Sequence, residues 1–302
     1  MNKVVVLGSL NMDLVTTLAR LPEIGETLIA EKLDYFVGGK GANQAVAASR
    51  VGGDVALLGK IGCDTFGEKI LNQLKQECLN LVNIEEDDQS FTGIANVFKL
   101  PTDNCITVVP GANGRIDDTY VVEHADIIAE ADVLLMQLEI PIEAVKQGLR
   151  IAKAAGVITI LNPAPFSAAV LNLLPQVDYL TPNELEFASL LPDRLKALPF
   201  EEAMLSFSEK YDTTVIVTRG AKGVAYVQDS QLLTVPTREV TVSDTTGAGD
   251  TFNGILAQQL SRGESLANAI SLATAGATYA TTKFGAQTGM PTLLDLQALA
   301  PK

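Results

Sequence analysis

The sequence predicts an α/β fold: a mostly parallel sheet with helices on both faces, and a small side sheet beside it. Three observations carry this reading. From Ile116 onward, short β-branched runs alternate with segments of helical periodicity, as in successive βα units. The chain opens on Val4-Val5-Val6-Leu7, an apolar run of the kind a buried strand requires. Two stretches, about 14–37 and 91–109, carry extended segments without helical periodicity and read as an excursion out of the main sheet.

In chain order, Gly8 and Ser9 close the first strand, and Asn11 and Asp13 follow at its carboxyl end. That edge is where open α/β sheets bind ligands, although Asn and Asp also stabilise ordinary turns. Pro22-Glu23-Ile24-Gly25-Glu26 breaks the excursion, with strands expected at 27–30 and 33–37. Gly38-Gly39-Lys40-Gly41-Ala42-Asn43-Gln44-Ala45 is a glycine-rich turn opening a helix over 46–51, which ends at Gly52-Gly53. A strand at 55–59 precedes a helix reaching about residue 76. Segments 91–100 and 106–109 form a hairpin about Pro101-Thr102-Asp103-Asn104, able to pair with the earlier excursion. Strands are expected at 133–136, 157–161, 178–180 and 214–218, and helices at 142–155 and 184–191. A hairpin of 224–227 with 232–235 closes the far edge, and helices 251–260 and 266–283 follow. The acidic run Glu85-Glu86-Asp87-Asp88 reads as solvated loop, and 190–200 carries no motif. With no repeat, low-complexity tract or linker, the 302 residues are expected to form one domain, 1–302, with a lid from about 14–37 and 91–109.

A net charge of −14 argues against binding nucleic acid or an anionic membrane through bulk electrostatics. An anionic ligand would need local amides, lysines and metal ions. Cys63, Cys78 and Cys105 are an odd count with no close pair, which suggests buried thiols in a reducing cytosol, not disulfides or zinc. The first apolar run is too short for a signal or membrane segment, so a cytoplasmic location is expected. His124, the single histidine, falls on an expected helix, where surface or capping use is the plain reading.

The chemistry concentrates in Ser243-Asp244-Thr245-Thr246-Gly247-Ala248-Gly249-Asp250-Thr251-Phe252. Gly247 and Gly249 let the backbone bend tightly at a helix start, whose free N–H groups and dipole suit a phosphate. Asp250 beside that seat would repel an anion. It fits if it accepts the proton of the group attacking the phosphorus; the ordinary alternative is a helix cap. Polar groups recur past the strands at Glu139, Asn162, Asn183, Glu186, Thr218 and Gly220, along one sheet edge. The P-loop spacing and the dinucleotide fingerprint are absent.

The runs Gly8-Ser9-Leu10-Asn11-Met12-Asp13, Gly38–Ala45, Met136-Gln137-Leu138-Glu139, Asn162-Pro163-Ala164-Pro165, Thr181-Pro182-Asn183-Glu184 and Asp244–Asp250 resemble, in this order, those of the ribokinase-like sugar and nucleoside kinases. The resemblance runs nearly end to end. It implies a Rossmann-like three-layer α/β/α sandwich with a small β-sheet lid, and ATP-dependent phosphorylation of a small sugar's primary hydroxyl. D-ribose, giving D-ribose 5-phosphate, is the first candidate; another pentose, a ketohexose or a nucleoside is the alternative, and a silent sugar-binding protein a more remote one. By resemblance Asn11, Asp13, Gly39, Lys40, Asn43, Glu139 and Asp250 hold the sugar, and Asp250 is the general base. Gly247, Ala248 and Gly249 form the anion hole. Asn183, Glu186, Thr218, Arg219, Gly220, Ala221, Lys222, Gly223, Gly249 and Thr274 serve ATP, with Glu186 reaching Mg²⁺ through water. Asp244, Thr246, Ala280, Lys283, Gly285 and Gly289 match a potassium site. Gly289 departs from the serine usual in the family, a loss Thr288 or a carbonyl would have to make good. A homodimer through the lid sheet is also implied, and apolar Leu28, Ile29, Tyr35 and Phe36 on a protruding sheet agree with it.

Overall fold

The structure, a computed structural model, describes residues 3–101 and 104–299. β1 (Lys3–Leu7) leads directly into β2 (Asn11–Thr17), which belongs to a different sheet, and β3 (Lys32–Gly38) returns antiparallel to β2. α1 (Lys40–Arg50), β4 (Asp54–Gly62), α2 (Thr65–Leu74), β5 (Leu79–Asn80) and β6 (Ile84–Asp87) follow. β7 (Gly93–Lys99) and β8 (Asn104–Val109) then complete a four-stranded sheet of order β3-β2-β7-β8.

After α3 (Asp118–Glu123) and α4 (Ala125–Ala129) the chain alternates regularly. β9 (Val133–Met136), α5 (Ile142–Ala155), β10 (Ile158–Leu161), β11 (Tyr179–Leu180), α6 (Glu184–Leu190), α7 (Asp193–Lys196), α8 (Phe200–Tyr211) and β12 (Thr214–Thr218) come in turn. β13 (Val224–Gln228) and β14 (Gln231–Val235) form the edge hairpin, whose turn residues Asp229 and Ser230 both take positive φ. α9 (Ala248–Ser261), α10 (Leu266–Ala280), α11 (Ala286–Gly289) and α12 (Leu293–Leu299) close the chain.

The large sheet has the order β14-β13-β12-β11-β10-β9-β1-β4-β5, with β6 also on β4. Every pairing from β5 to β12 is parallel, and only the edge hairpin is antiparallel. β1 explains the layering: Val5 and Leu7 enter a core with α3, α5, α6 and α8, while Val4 and Val6 enter a second core with α1, α2, α9 and α10. Because successive side chains point to opposite faces, a strand covered on both sides must be apolar at every position. The architecture is thus a three-layer α/β/α sandwich with a small second sheet.

Several local expectations are corrected. Residues 27–30 form no strand; the partner of β3 is β2, and 18–31 is the long connection between them. Asn11 and Asp13 accordingly sit on a strand and not in a turn. Glu85–Asp87 belong to β6, where Lys60 and Arg115 pair with Glu85 and Asp87, so the acidic run is not simply solvated loop. The three cysteines are free and exposed, not buried. α7 and α8 fill a stretch to which the sequence reading gave no element, and α10 ends three residues early. The turn expected at Thr102-Asp103 lies outside the described residues. No described helix is long and apolar enough to cross a membrane.

Candidate active site

The site begins with two helix N-termini. Gly39 caps α1 at φ 88° and Gly247 caps α9 at φ 75°, left-handed values that an L side chain resists. The two helices approach closely because Gly254 faces α1, where an added Cβ would stand 2.4 Å from the Gln44 carbonyl oxygen. Asp250 lies one turn before Gly254 on the same helical face, so this close approach presses its carboxylate onto α1. Asp250 Oδ2 accepts from Asn43 Nδ2 at 3.0 Å, and Oδ1 from Gln44 Nε2 at 3.0 Å. The residue is 8% exposed.

A cavity of 760 Å³ opens between these helices and the small sheet. Asn11, Asp13, Gly39, Lys40, Asn43, Glu139 and Asp250 all line it, so the structure brings these seven together. Ser9 Oγ (2.5 Å), the Lys40 backbone N–H (3.1 Å) and Asn11 Nδ2 (3.3 Å) all donate to Glu139 Oε2, and Oε1 has no hydrogen-bond partner among the described residues. Asn113 fixes Asn11 in turn, donating to its Oδ1 at 2.8 Å. The Asp13 side chain makes no hydrogen bond among the described residues. Burial pushes its pKa up to about 7, helped by Glu139 and Asp250 and opposed by Lys40. Burial works against the Lys40 ammonium, but Asp250, Glu139, Glu186 and Asp13 outweigh it and hold its pKa above the ordinary lysine value. A cation stands among four carboxylates, and two of the acids are poised for ligand hydroxyls.

A second cavity, of 600 Å³, is lined by Thr218, Gly220, Ala221, Gly223, Ala248, Gly249 and Thr274, with Val224, Val240, Phe252 and Ala277 as apolar wall. Arg219 and Lys222 are not on that wall. Their side chains turn to Glu184, at 2.8 and 3.3 Å, and the Arg219 guanidinium stacks on Phe200. Asn183 and Glu186 form a reciprocal capping box at the start of α6: Glu186 N–H donates to Asn183 Oδ1, and Asn183 N–H to Glu186 Oε2. Burial raises the pKa of Glu186, opposed by the Asn183 N–H and Lys40 and reinforced by Asp250, which puts Glu186 within electrostatic reach of both.

The cavities meet at the start of α9. Gly247 and Asp250 face the first, Ala248 and Gly249 the second, and Thr245 lines both. The Ala248 N–H is engaged by the Thr245 carbonyl at 3.2 Å, whereas those of Gly247 and Gly249 have no intramolecular partner among the described residues. A hydroxyl held in one cavity therefore lies beside a carboxylate, and an anion entering from the other meets open amides.

Asp244, Thr246, Ala280, Lys283, Gly285 and Gly289 also gather in one neighbourhood. Asp244 accepts from Thr246 N–H and Oγ1 and from Gly285 N–H, while Ala280 and Gly285 carbonyls receive Lys283 N–H and Gly289 N–H. A Cβ at Gly289 would lie 2.8 Å from the Ala280 oxygen, and Thr288 Oγ1 already donates to the Phe284 carbonyl. His124, between α3 and α4, meets the Tyr120 carbonyl at 2.8 Å and packs its ring against that of Tyr120, with centroids 4.4 Å apart.

Sequence reasoning assigned no role to Gln44, Gln137 or Gln287, nor to Asn113. Gln44 stands inside a quoted run, and a long polar residue on the buried side of a helix is its signal. Gln137 also stands inside a quoted run, whereas Gln287 and Asn113 have no local signature.

The sequence matches the model of the pfkB family carbohydrate kinases over residues 1–293. It is 39% identical to the ribokinase of Lactococcus lactis over 299 residues, covering 99% of this chain and 97% of that one. It is 37% identical to the ribokinase of Bacillus subtilis, at 99% of both chains. A structure of Arabidopsis thaliana ribokinase complexed with ribose and ATP superposes with a TM-score of 0.90, at 30% identity over 98% of this chain and 97% of that one. The chain belongs to the pfkB family of carbohydrate kinases.

Proposed function

We propose that the protein is an ATP-dependent kinase that phosphorylates the primary hydroxyl of D-ribose to give D-ribose 5-phosphate. The observation that carries this is the junction: Asp250 faces a polyol-sized polar cavity while the next residues toward the N-terminus face a second cavity with an apolar wall. Ribokinases over the full chain length, one of them described with ribose and ATP, support the choice of sugar.

In this reading Glu139 Oε1, Asp13, Asn11 and Asn43 take the secondary hydroxyls with Gly39 and Lys40, and so aim the primary one at Asp250. An alcohol does not ionise freely at neutral pH, so its proton passes to Asp250 as the bond to phosphorus forms. The open N–H groups of Gly247 and Gly249 stabilise the migrating phosphoryl oxygens, and Ala248 shapes the turn. The adenosine lies along Thr218, Gly220, Ala221, Gly223 and Thr274; Arg219 and Lys222 hold that loop against Glu184.

No three His, Cys, Asp or Glu side chains among the described residues form a metal cluster, but magnesium does not need one. It commonly keeps waters and binds one or two carboxylates together with substrate phosphates, which Glu186 in its capping box fits. Bound there it would neutralise phosphate charge. The carbonyl-rich group about Asp244 fits potassium without a side-chain ligand from Gly289. Bound there it would steady the turn that carries the anion hole.

The four-stranded sheet acts as lid on a single domain, and its exposed Leu33, Tyr35 and Ile106 suit a homodimer; sedimentation as a monomer at micromolar concentration would count against that. A cytoplasmic location goes with the intracellular substrates. The decisive assay is ADP release with MgATP, with and without potassium, on ribose, deoxyribose, fructose and adenosine. Ribose is expected to give the highest kcat/KM; absent turnover of ribose, or faster turnover of adenosine, overturns the assignment.

A further inference from the structure

Asp250 is the terminus of two chains of carboxamides, and their direction is forced. An ionised carboxylate only accepts hydrogen bonds, so Asn43 and Gln44 must present their NH₂ groups to it. The oxygen of each then needs a donor. For Asn43 Oδ1 that donor is Gln287 Nε2 at 3.0 Å, and Gln287 Oε1 accepts from Gln73 Nε2 at 2.8 Å. For Gln44 Oε1 it is Gln137 Nε2 at 2.6 Å. Gln137 keeps this orientation although its own Oε1 is buried without a partner, so the carboxylate's demand outweighs that of the amide at the chain's end.

Gln287 is the unusual member. It comes from α11, 244 residues from Asn43, and is 5% exposed. Its backbone is also pinned: the Arg50 guanidinium donates to the Gln287 carbonyl and at 3.3 Å to that of Met290, while gripping Glu77 with two bonds. A side chain locked at both ends costs little further ordering when a ligand binds.

We propose that Gln287 is a positioning residue for phosphoryl transfer: it holds the Asn43 amide in the one orientation that donates to Asp250, and so ties the carboxylate's alignment to the segment after α10. Without the Gln287 N–H, Asn43 Oδ1 loses its donor and the amide is held from one side only; an acceptor in its place would favour a flip that points the Asn43 oxygen at a carboxylate. The inference rests on Asp250 being the base.

The test is a double-mutant cycle. Gln287→Glu keeps size and can still accept from Gln73 but cannot donate to Asn43. With whichever sugar the wild type turns over best, kcat is expected to fall about tenfold, with KM for ATP unchanged within about twofold and thermal unfolding preserved. In the Asn43→Ala background the same substitution is expected to change kcat by less than about twofold. If Gln287→Glu does not fold, Gln287→Met, of similar length and uncharged, is read through the same cycle. An unchanged kcat, equal losses in both backgrounds, or a loss that tracks the melting temperature overturns the proposal. Failure of the sugar assignment shows separately, as a different best substrate for the wild type.

Discussion

On one side of the Gly247–Asp250 turn, the cavity wall is made of side chains that other side chains hold in place. Asn113 fixes Asn11, Ser9 and the Lys40 N–H fix Glu139, and Asn43 and Gln44 fix Asp250. On the other side the wall is mostly glycine backbone, small residues and aliphatic surface, with Arg238 and Glu239 at its border, while Arg219 and Lys222 turn away to Glu184. A polyol offers several nearly equivalent hydroxyls, so choosing one needs directional groups at fixed positions. A purine is recognised well enough by a slot of the right shape, and its phosphates by main-chain N–H groups. Side-chain changes should therefore be severe in the first cavity and mild in the second, where the backbone is the sensitive part.

The largest expected effect is at the junction. Asp250→Asn removes the proton acceptor and sets an NH₂ group against the donors of Asn43 and Gln44. We expect kcat to fall by ~10²-fold or more with smaller changes in either KM. Steady-state kinetics on ribose and MgATP check this, and a variant with near-normal kcat would remove Asp250 as base.

Gly249→Ala tests whether backbone is the sensitive part of the second cavity. An added Cβ has nothing within 4 Å, so the fold should tolerate it, yet Gly249 lines the cavity and the methyl group would stand where phosphate oxygens approach its N–H. One donor of this kind is worth about 3 kcal/mol in acyl transfer. A tenfold or greater fall in kcat/KM for ATP, at unchanged melting temperature, is expected; wild-type kinetics would show that the phosphates do not approach there.

A smaller effect separates the cavities by pH. The pKa of Asp13 rises from 3.8 to about 7 on folding, so this carboxyl binds protons more tightly in the folded chain. Its contribution to stability therefore falls as the pH rises between those values and is constant above about 7. A sugar hydroxyl donating to Asp13 needs the ionised form, so KM for the sugar should rise several-fold as the pH drops from 8 to 6, while KM for ATP stays flat. Parallel curves for both substrates would break the contrast, and Asp13→Asn should abolish the sugar's pH dependence.

The same contrast explains what could be read from the sequence. The first cavity draws on contiguous runs, 38–45 and 243–252, in which glycine, lysine, amide and acid stand within one turn of each other. The sandwich was legible because strands buried on both faces, such as Val4–Leu7 and Val133–Met136, are apolar runs. What escaped depends on distant pairing. That Asn11 and Asp13 lie on a strand, and not just past one, was not legible because their pairing partners, β3 and β7, lie far along the chain. Residues 27–30 looked like a strand, but β3 already has its neighbour. α8 escaped because a segment without a motif drew no attention, although Phe207 and Met204 anchor it in the core. The bond from Gln287 to Asn43 spans nearly the whole chain and has no periodicity to betray it.

The smallest expected effect is at Arg219, which the family resemblance assigns to ATP. Its guanidinium instead joins Glu184 and the Phe200 ring and is 22% exposed. Partly exposed ion pairs of this sort contribute about 0.2–1 kcal/mol, and stacking on a ring adds a comparable amount. Arg219→Ala should therefore lower the melting temperature by a few degrees at most and leave KM for ATP within about threefold of wild type. An Arg219 that gripped the nucleotide would give the opposite ranking, a large rise in KM with little loss of stability. That outcome would mean the second cavity, like the first, depends on a committed side chain, with Glu184 releasing it when ATP arrives.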